Sequence, residues 1–475
     1  MKKLLYISMM VSSLLVADSD VEQLKKQMNE QQLMIQKLLS KIESLEQKST
    51  KNEKSILDNI TAQKSDESVQ KDEIQTKSKT FSQVSYMPDI SLIGDISYVS
   101  RNKKDDELPH LELPGVAHGI MGSHSHDGNS HSPYNAGKGF NLNYAELMLS
   151  KSVDPTLNLD GIFHFSEGGV EIEELYFTTT ALGYGSRIKG GKFNSNFGYL
   201  NDQHHHAWSF ADMPLVYEAF LGMHGINEKG LQFQWTAPTS NYLMIGAEVL
   251  QGENEQMFGN QSIHLNDLNA SNPHVDSENA PSMYVGYVKT SFDIGDTTIL
   301  GGLSYAKGSA RIDHSEEEEE AHAISGDSTL YGADLTVKHY FDSYSFLTWQ
   351  SELLSRKIKG TLYEIDDTTK FATSSDLTKK QTGLYTQLVY APNQSWKMGV
   401  RYDTIFKNNI NGTDSIDDFK KYSAMLEYNT SEFAKFRLQY NRNRALYNED
   451  GQKQNINSVI LQANFSIGAH GAHSF

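Results

Sequence analysis

Residues 396–403 read WKMGVRYD, residues 421–428 read KYSAMLEY and residues 435–441 read KFRLQYN. In the first stretch Trp396, Met398, Val400 and Tyr402 alternate with Lys397, Gly399, Arg401 and Asp403. Successive side chains of a strand point to opposite faces, so this period of two builds one apolar and one polar face. Tyr422, Ala424, Leu426 and Tyr428 repeat the pattern against Ser423 and Glu427, as do Phe436, Leu438 and Tyr440 against Lys435, Arg437 and Gln439. A strand that shows one face to lipid and the other to water is the unit of a transmembrane β-barrel.

Working outward, sixteen such segments begin near residues 90, 140, 157, 170, 186, 229, 242, 283, 298, 330, 346, 382, 396, 421, 434 and 457. An even number returns the last strand to the side from which the first set out. The fourth and fifth are the least regular: Val170, Ile172 and Tyr176 share parity with Glu174, and 185–191 is rich in glycine. Beyond the fifth, turn-like connections such as APTSN (237–241) and DIGD (293–296) alternate with long ones at about 197–228, 251–281, 308–328, 357–380 and 407–419. Outer-membrane barrels have short periplasmic turns and long external loops, which assigns the long set to the outside and both termini to the periplasm. The expected fold class is all-β, a 16-stranded antiparallel transmembrane barrel over residues 87–475, preceded by a short periplasmic coiled-coil helix. A soluble β-sandwich does not sustain so many alternating strands with long loops on one side.

Composition agrees. The 475 residues are 38% hydrophobic with a mean hydropathy of -0.52, yet include 24 Tyr and 21 Phe. Past the N-terminus no run approaches the ~18 apolar residues of a membrane helix, which excludes a helical membrane bundle. The absence of cysteine excludes disulfide scaffolds, thiol nucleophiles and Cys-ligated metals. A formal charge of -18 disfavours nucleic acid as a partner.

Lys2, Lys3 and the apolar run Leu4 to Ala17 read as a signal peptide over 1–17, although Leu15 is larger than the cleavage pattern favours. Residues 18–48 carry heptads, with Val21, Met28, Ile35 and Ile42 on one seam position and Leu24, Gln31, Leu38 and Leu45 on the other. Such a stripe is buried only by partner helices, so the segment is expected to oligomerise, with Gln31 at the seam leaving the strand number open; the expected assembly is a homotrimer joined through barrel and coiled coil. Residues 49–86, dominated by Lys, Ser, Asp, Glu and Gln, read as a flexible periplasmic linker. Phe475 shares parity with Val459, Leu461, Ala463, Phe465 and Ile467 and looks like the signal by which the outer-membrane assembly machinery recognises barrels.

Residues 191–239, GKFNSNFGYLNDQHHHAWSFADMPLVYEAFLGMHGINEKGLQFQWTAPT, resemble the part of Gram-negative phosphate-selective-porin-like proteins where a strand ends, a loop folds inward and the next strand returns. The run MPLVYEAFLG, Met213 to Gly222, is also similar to a loop motif of zinc-regulated outer-membrane proteins. The match covers about fifty residues. The resemblance implies a pore with an inward loop. Phosphate-selective members are known for a basic ladder in the pore. This chain departs from that pattern in its acidic balance and in Glu218, where the loop motif would place Arg.

Three residue sets follow. Parity assigns Asp334, Lys338, Glu352, Arg356, Lys397, Arg401, Asp403, Glu427, Lys435 and Arg437 to the lumen, where mixed charges would set selectivity. The inward loop from Trp208 through Phe210, Tyr217 and Glu218 to Phe220 is the expected constriction. Thirteen of 17 histidines fall in connections assigned to the outside. Imidazole with carboxylate suits zinc, which makes His118, His124, His126, Asp127, His131, His204, His205, His206, His314 and His322 a candidate set for weak zinc capture at the external loops. No cofactor is required. An enzyme is not expected: Asp160 and His164 share a strand face with Ser166 nearby, but four strand residues separate them by roughly 13 Å. The expected function is a porin for passive diffusion of small hydrophilic solutes or ions. The alternative is a metal-uptake channel.

Overall fold

The computed structural model describes residues 87–468 except 119–123, 127–128, 132–133, 255, 316–320 and 416–417. The signal peptide, coiled coil, linker, Asp127 and Phe475 lie outside the described residues.

Sixteen strands form the wall: β1 (Asp89–Arg101), β2 (Gly139–Asp154), β3 (Leu157–Ser166), β4 (Gly169–Thr179), β5 (Ser186–Asn194), β6 (Asn227–Thr236), β7 (Tyr242–Leu250), β8 (Met283–Ile294), β9 (Thr297–His314), β10 (His322–Tyr340), β11 (Phe346–Ile365), β12 (Ala372–Ala391), β13 (Trp396–Ile410), β14 (Phe419–Ser431), β15 (Ala434–Asn443) and β16 (Ile456–Gly468). Each pairs antiparallel with its chain neighbours, and β16 closes on β1, with Asp95 opposite Asn464 and Tyr98 opposite Leu461. Closure leaves no unpaired strand edge.

Alternation decides what faces where. Leu231, Phe233, Trp349, Val400, Leu426, Leu438 and Leu461 stand exposed on the outer face, and their strand neighbours Gln232, Gln350, Arg401, Glu427, Arg437 and Gln462 are buried inside. Aromatic rings meet across the outer face, as in Trp396 with Tyr428 at 4.7 Å and Tyr402 with Tyr422 at 5.3 Å between centroids.

Two expectations change. Strands β9 to β12 are 18, 19, 20 and 20 residues long, so most of 308–328 and 357–380 is strand rather than loop. Ladder pairing carries these hairpins well past the ~9–11 residues that cross a bilayer. Secondly, the irregular parity of β4 has a physical cause. Ile162 pairs with Glu174 but Phe163 pairs with Ile172, leaving Glu173 as the extra residue of a β-bulge. The bulge turns two consecutive carboxylates, Glu173 and Glu174, toward the bore.

The connection from Ser195 to Ile226 does not stay outside. It enters the barrel and carries helix α1 (Leu215–Leu221), with Phe197, Phe210, Leu215, Val216, Tyr217, Ala219 and Phe220 at most 1% exposed. The β1–β2 connection follows it inward, burying Leu108, Leu111, Leu113 and Val116 in the same apolar cluster.

Candidate functional site: the inward loop and its anchors

The loop is apolar enough to leave water, but its backbone polar groups then need partners inside the bore. The wall supplies them. Glu352 on β11 accepts the N–H groups of Tyr199 and Leu200 at 2.8 and 3.1 Å, the Tyr217 hydroxyl at 2.7 Å and the Tyr385 hydroxyl. Gly198 makes this approach possible. Its φ is +66°, and a Cβ there would lie 2.5 Å from both Glu352 Oε2 and the Tyr217 hydroxyl. Gly198→Ala is therefore expected to loosen the loop by at least ~1–2 kcal/mol from backbone handedness alone. Faster limited proteolysis within 195–226 would report it.

Helix α1 is only seven residues long, too short to stand by itself. Both ends are held by charges that match its dipole. At the start, Asp403 on β13 accepts the Leu215 N–H at 3.0 Å. At the end, Arg356 on β11 donates to the carbonyls of Ala219 (3.3 Å), Phe220 (3.5 Å) and Val116 (2.5 Å), with its guanidinium 4.4 Å from the Phe220 ring centre. Just before the helix, Asp212 receives Arg401 (2.8 Å), Lys421 (2.7 Å), Gln439 (2.6 Å) and Asn441 (2.9 Å). Burial would raise the Asp212 pKa, but Lys421 and Arg401 outweigh it and hold the group below the ordinary carboxylate range. On the far side Arg437 donates to the Trp208 carbonyl at 2.8 Å while pairing with Glu427 at 2.7 Å, and Lys435 donates to the His206 carbonyl.

The residues assigned to the lumen by parity are largely engaged with other side chains or with the loop rather than bathed in water. Glu352, Arg356, Arg401, Asp403, Lys435 and Arg437 grip the loop. Glu427 is shared between Arg437 and Lys397, the latter at 3.2 Å. Lys338 lies over the rings of Tyr340 and Phe346, and Asp334 is buried beside Gly302. In the loop, Trp208, Tyr217 and Phe220 pack into the apolar cluster and Phe210 packs separately against Val389 and Met425, whereas Glu218 stays half-buried with Lys421, Arg401, Asp212 and Asp403 around it. Burial, opposed by Lys421 and reinforced by Asp212, lifts its pKa to about 7.

The histidines separate. His314 and His322 face each other at the ends of β9 and β10, with ring centres 5.1 Å apart, and not in a loop. His118 lies on a two-residue strand, Ala117–His118. His124, His126 and His131 lie on a short hairpin in which His124 pairs with His131. His204, His205 and His206 travel with the loop into the bore. His205 turns toward Asp95 (3.3 Å) and stacks on Tyr134 at 4.0 Å.

His204 and His206 turn the other way, onto three strands whose residues the sequence did not flag as a set. His164 Nε2 on β3 lies 3.2 Å from Glu146 Oε2 of β2 and 2.7 Å from Glu173 Oε2 of the bulge. His204 Nδ1 lies 3.2 Å from Glu173 Oε2 and 3.8 Å from Glu146 Oε2, and its Nε2 lies 3.1 Å from Glu174. His206 Nδ1 is 3.2 Å from Glu146 Oε2. Burial disfavours charge on His204, but Glu173, Glu174 and Glu146 outweigh it and hold its pKa well above the usual imidazole value. In His206 burial prevails and the pKa falls. Among the described residues, Glu146, Glu173 and His204 offer donor atoms all within 4.8 Å of one another. Two signals in the sequence pointed here: the inward parity of Glu146 and His164 on neighbouring strands, and the broken alternation at Glu173 and Glu174.

No family model matches the chain. An uncharacterized protein of Aquifex aeolicus (strain VF5) is 49% identical over 399 residues, covering 83% of this chain and 81% of that protein. Among solved structures, the outer membrane channel DcaP of Acinetobacter baumannii is similar with a TM-score of 0.47 at 11% identity, over 80% of this chain and 96% of that one. The outer membrane protein OmpT of Vibrio cholerae (TM-score 0.45, 10% identity, 80% and 97% covered) and an anion-selective porin from Comamonas acidovorans (0.45, 10%, 80% and 98%) are similar too.

Proposed function

The chain belongs to the same family as the Aquifex aeolicus protein, and we propose that it serves as an outer-membrane porin admitting small hydrophilic solutes or ions by passive diffusion. The observation that supports this reading is a closed barrel, apolar outside and polar inside, whose bore is narrowed by a loop anchored on the wall. An apolar outer belt suits hydrocarbon, and an interior of mixed charge suits permeating ions. The heptads of 21–45 support assembly as an oligomer, for which we propose a trimer with the coiled coil in the periplasm. Conductance of the purified full-length protein in a planar bilayer is the test. Discrete ohmic steps that enlarge when residues 208–220 are deleted are expected. A silent bilayer with both wild type and deletion would end the reading.

Glu218 adds a pH dependence. Its pKa of about 7 leaves it neutral at acidic pH and charged above neutrality. Cation preference, read as reversal potential in a KCl gradient, is therefore expected to rise between pH 6 and pH 8, and to stay flat in Glu218→Gln. The sign for loop docking is opposite. The docked loop holds the proton more tightly than the released loop, so docking weakens as pH rises from the ordinary carboxylate value toward about 7.

A further inference from the structure

We propose that Glu146, Glu173 and His204, completed by His164, bind a divalent transition-metal ion of the zinc class inside the barrel, joining the inward loop to strands β2, β3 and β4. The donor chemistry comes first. Imidazole nitrogens with carboxylate oxygens and no sulfur suit zinc, nickel or cobalt, whereas calcium and magnesium prefer oxygen alone.

Spacing is the second ground. Zinc bonds of about 2.0–2.1 Å place the donors of a tetrahedral site about 3.3 Å apart. The contacts between His204 and Glu173, and between His164 and Glu146, are both 3.2 Å, His204 to Glu146 is 3.8 Å, and His164 to Glu173, at 2.7 Å, would have to open slightly. The donor atoms of Glu146, Glu173 and His204 lie within 4.8 Å of one another, close enough for one ion to draw them together, and His164 reaches the same two carboxylates from β3.

Charge balance is the third and independent ground. Glu146, Glu173 and Glu174 have side chains only 2, 14 and 5% exposed. Every ion pair they make among the described residues is with a histidine, and none is with Lys or Arg. Three carboxylates held so close out of water need cationic charge between them, which the histidines supply when protonated and which one divalent ion supplies when their nitrogens serve as ligands instead. An outer shell is also present. Glu174 faces His204 Nε2 at 3.1 Å and accepts the Asn194 N–H at 2.6 Å, so it can fix the tautomer that aims Nδ1 at the ion. Tyr144 stacks on His164 at 4.6 Å and holds that ring in place.

The site differs from the external histidines in both place and ligands. Binding does not depend on the channel reading, because it is measured on the protein alone. The full-length protein, folded in detergent and stripped with chelator, is titrated with Co²⁺ and then with Zn²⁺. The expected result is one ion per chain, with the strong visible bands of low-coordinate cobalt that zinc abolishes. Glu173→Gln and His204→Gln should lose the bands, while Glu174→Gln should weaken affinity about 10–100-fold as an outer-shell change. The combined variant His314→Ala and His322→Ala should keep them. Folding of each variant is checked by heat-modifiable migration on gels. A wild-type protein without such bands overturns the proposal, as does binding that survives Glu173→Gln and His204→Gln but disappears with the external histidines.

Discussion

Glu352→Ala is expected to release the inward loop and give the largest gain in conductance of any single wall substitution. The carboxylate receives two backbone N–H groups of the loop, from Tyr199 and Leu200, and two hydroxyls, from Tyr217 and Tyr385. Alanine leaves those donors without an acceptor in a buried setting, at about 1–3 kcal/mol for each orphaned group. The sixteen-strand ladder makes no use of this side chain, so the wall itself should persist. Single-channel recordings should show a conductance several times that of wild type, with frequent transitions as the loop re-enters. The folded barrel should still migrate faster than the heated chain on gels. An unchanged conductance in a folded Glu352→Ala barrel would show that the loop does not limit the bore.

The second large effect is on selectivity. Asp212 is the common partner of Arg401 and Lys421, whose side chains are 1 and 7% exposed. Asp212→Ala removes a negative charge and leaves Lys421 with only Glu218 and Asp403 as acidic groups acting on it, while Arg401 keeps Asp403 at 3.0 Å. Breaking a buried pair from one side costs about 3–5 kcal/mol, because the remaining charge stays out of water. The bore should relieve that cost by drawing in anions. Reversal potential in a KCl gradient is expected to shift clearly toward chloride, with a lower unfolding temperature. Lys421→Met in the same background should restore both. A reversal potential that does not move would place Asp212 away from the ion path.

The outer wall was legible in the sequence because alternation is a local property. The segments predicted near residues 157, 186, 242, 283, 346, 396 and 434 begin at those residues in the structure, and the others start within a few residues or, at β10 and β12, eight to ten earlier. There the polar runs HAISGDST and ATSSDLTKKQ carried no lipid-facing pattern, yet ladder hydrogen bonds hold them as strand. Parity also placed Glu352, Arg356, Arg401 and Arg437 on the inner face.

What the inner face does was a different matter. Facing inward is set by one residue and its neighbours in the chain, but Glu352 meets Tyr199 across 153 positions and Arg437 meets Trp208 across 229. The same holds for Glu146, His164, Glu173 and His204. Hairpin pairing sets Glu146 opposite His164, and the bulge shows in the sequence as broken alternation at Glu173 and Glu174, but only the dive of the loop brings His204 to them, and that displacement leaves no periodic mark. The chain by itself therefore determined a sixteen-stranded cylinder, greasy outside and polar within. The tertiary structure decided that its charges clasp a loop, because pairing partners in a bore are chosen by distance across it and not along the chain.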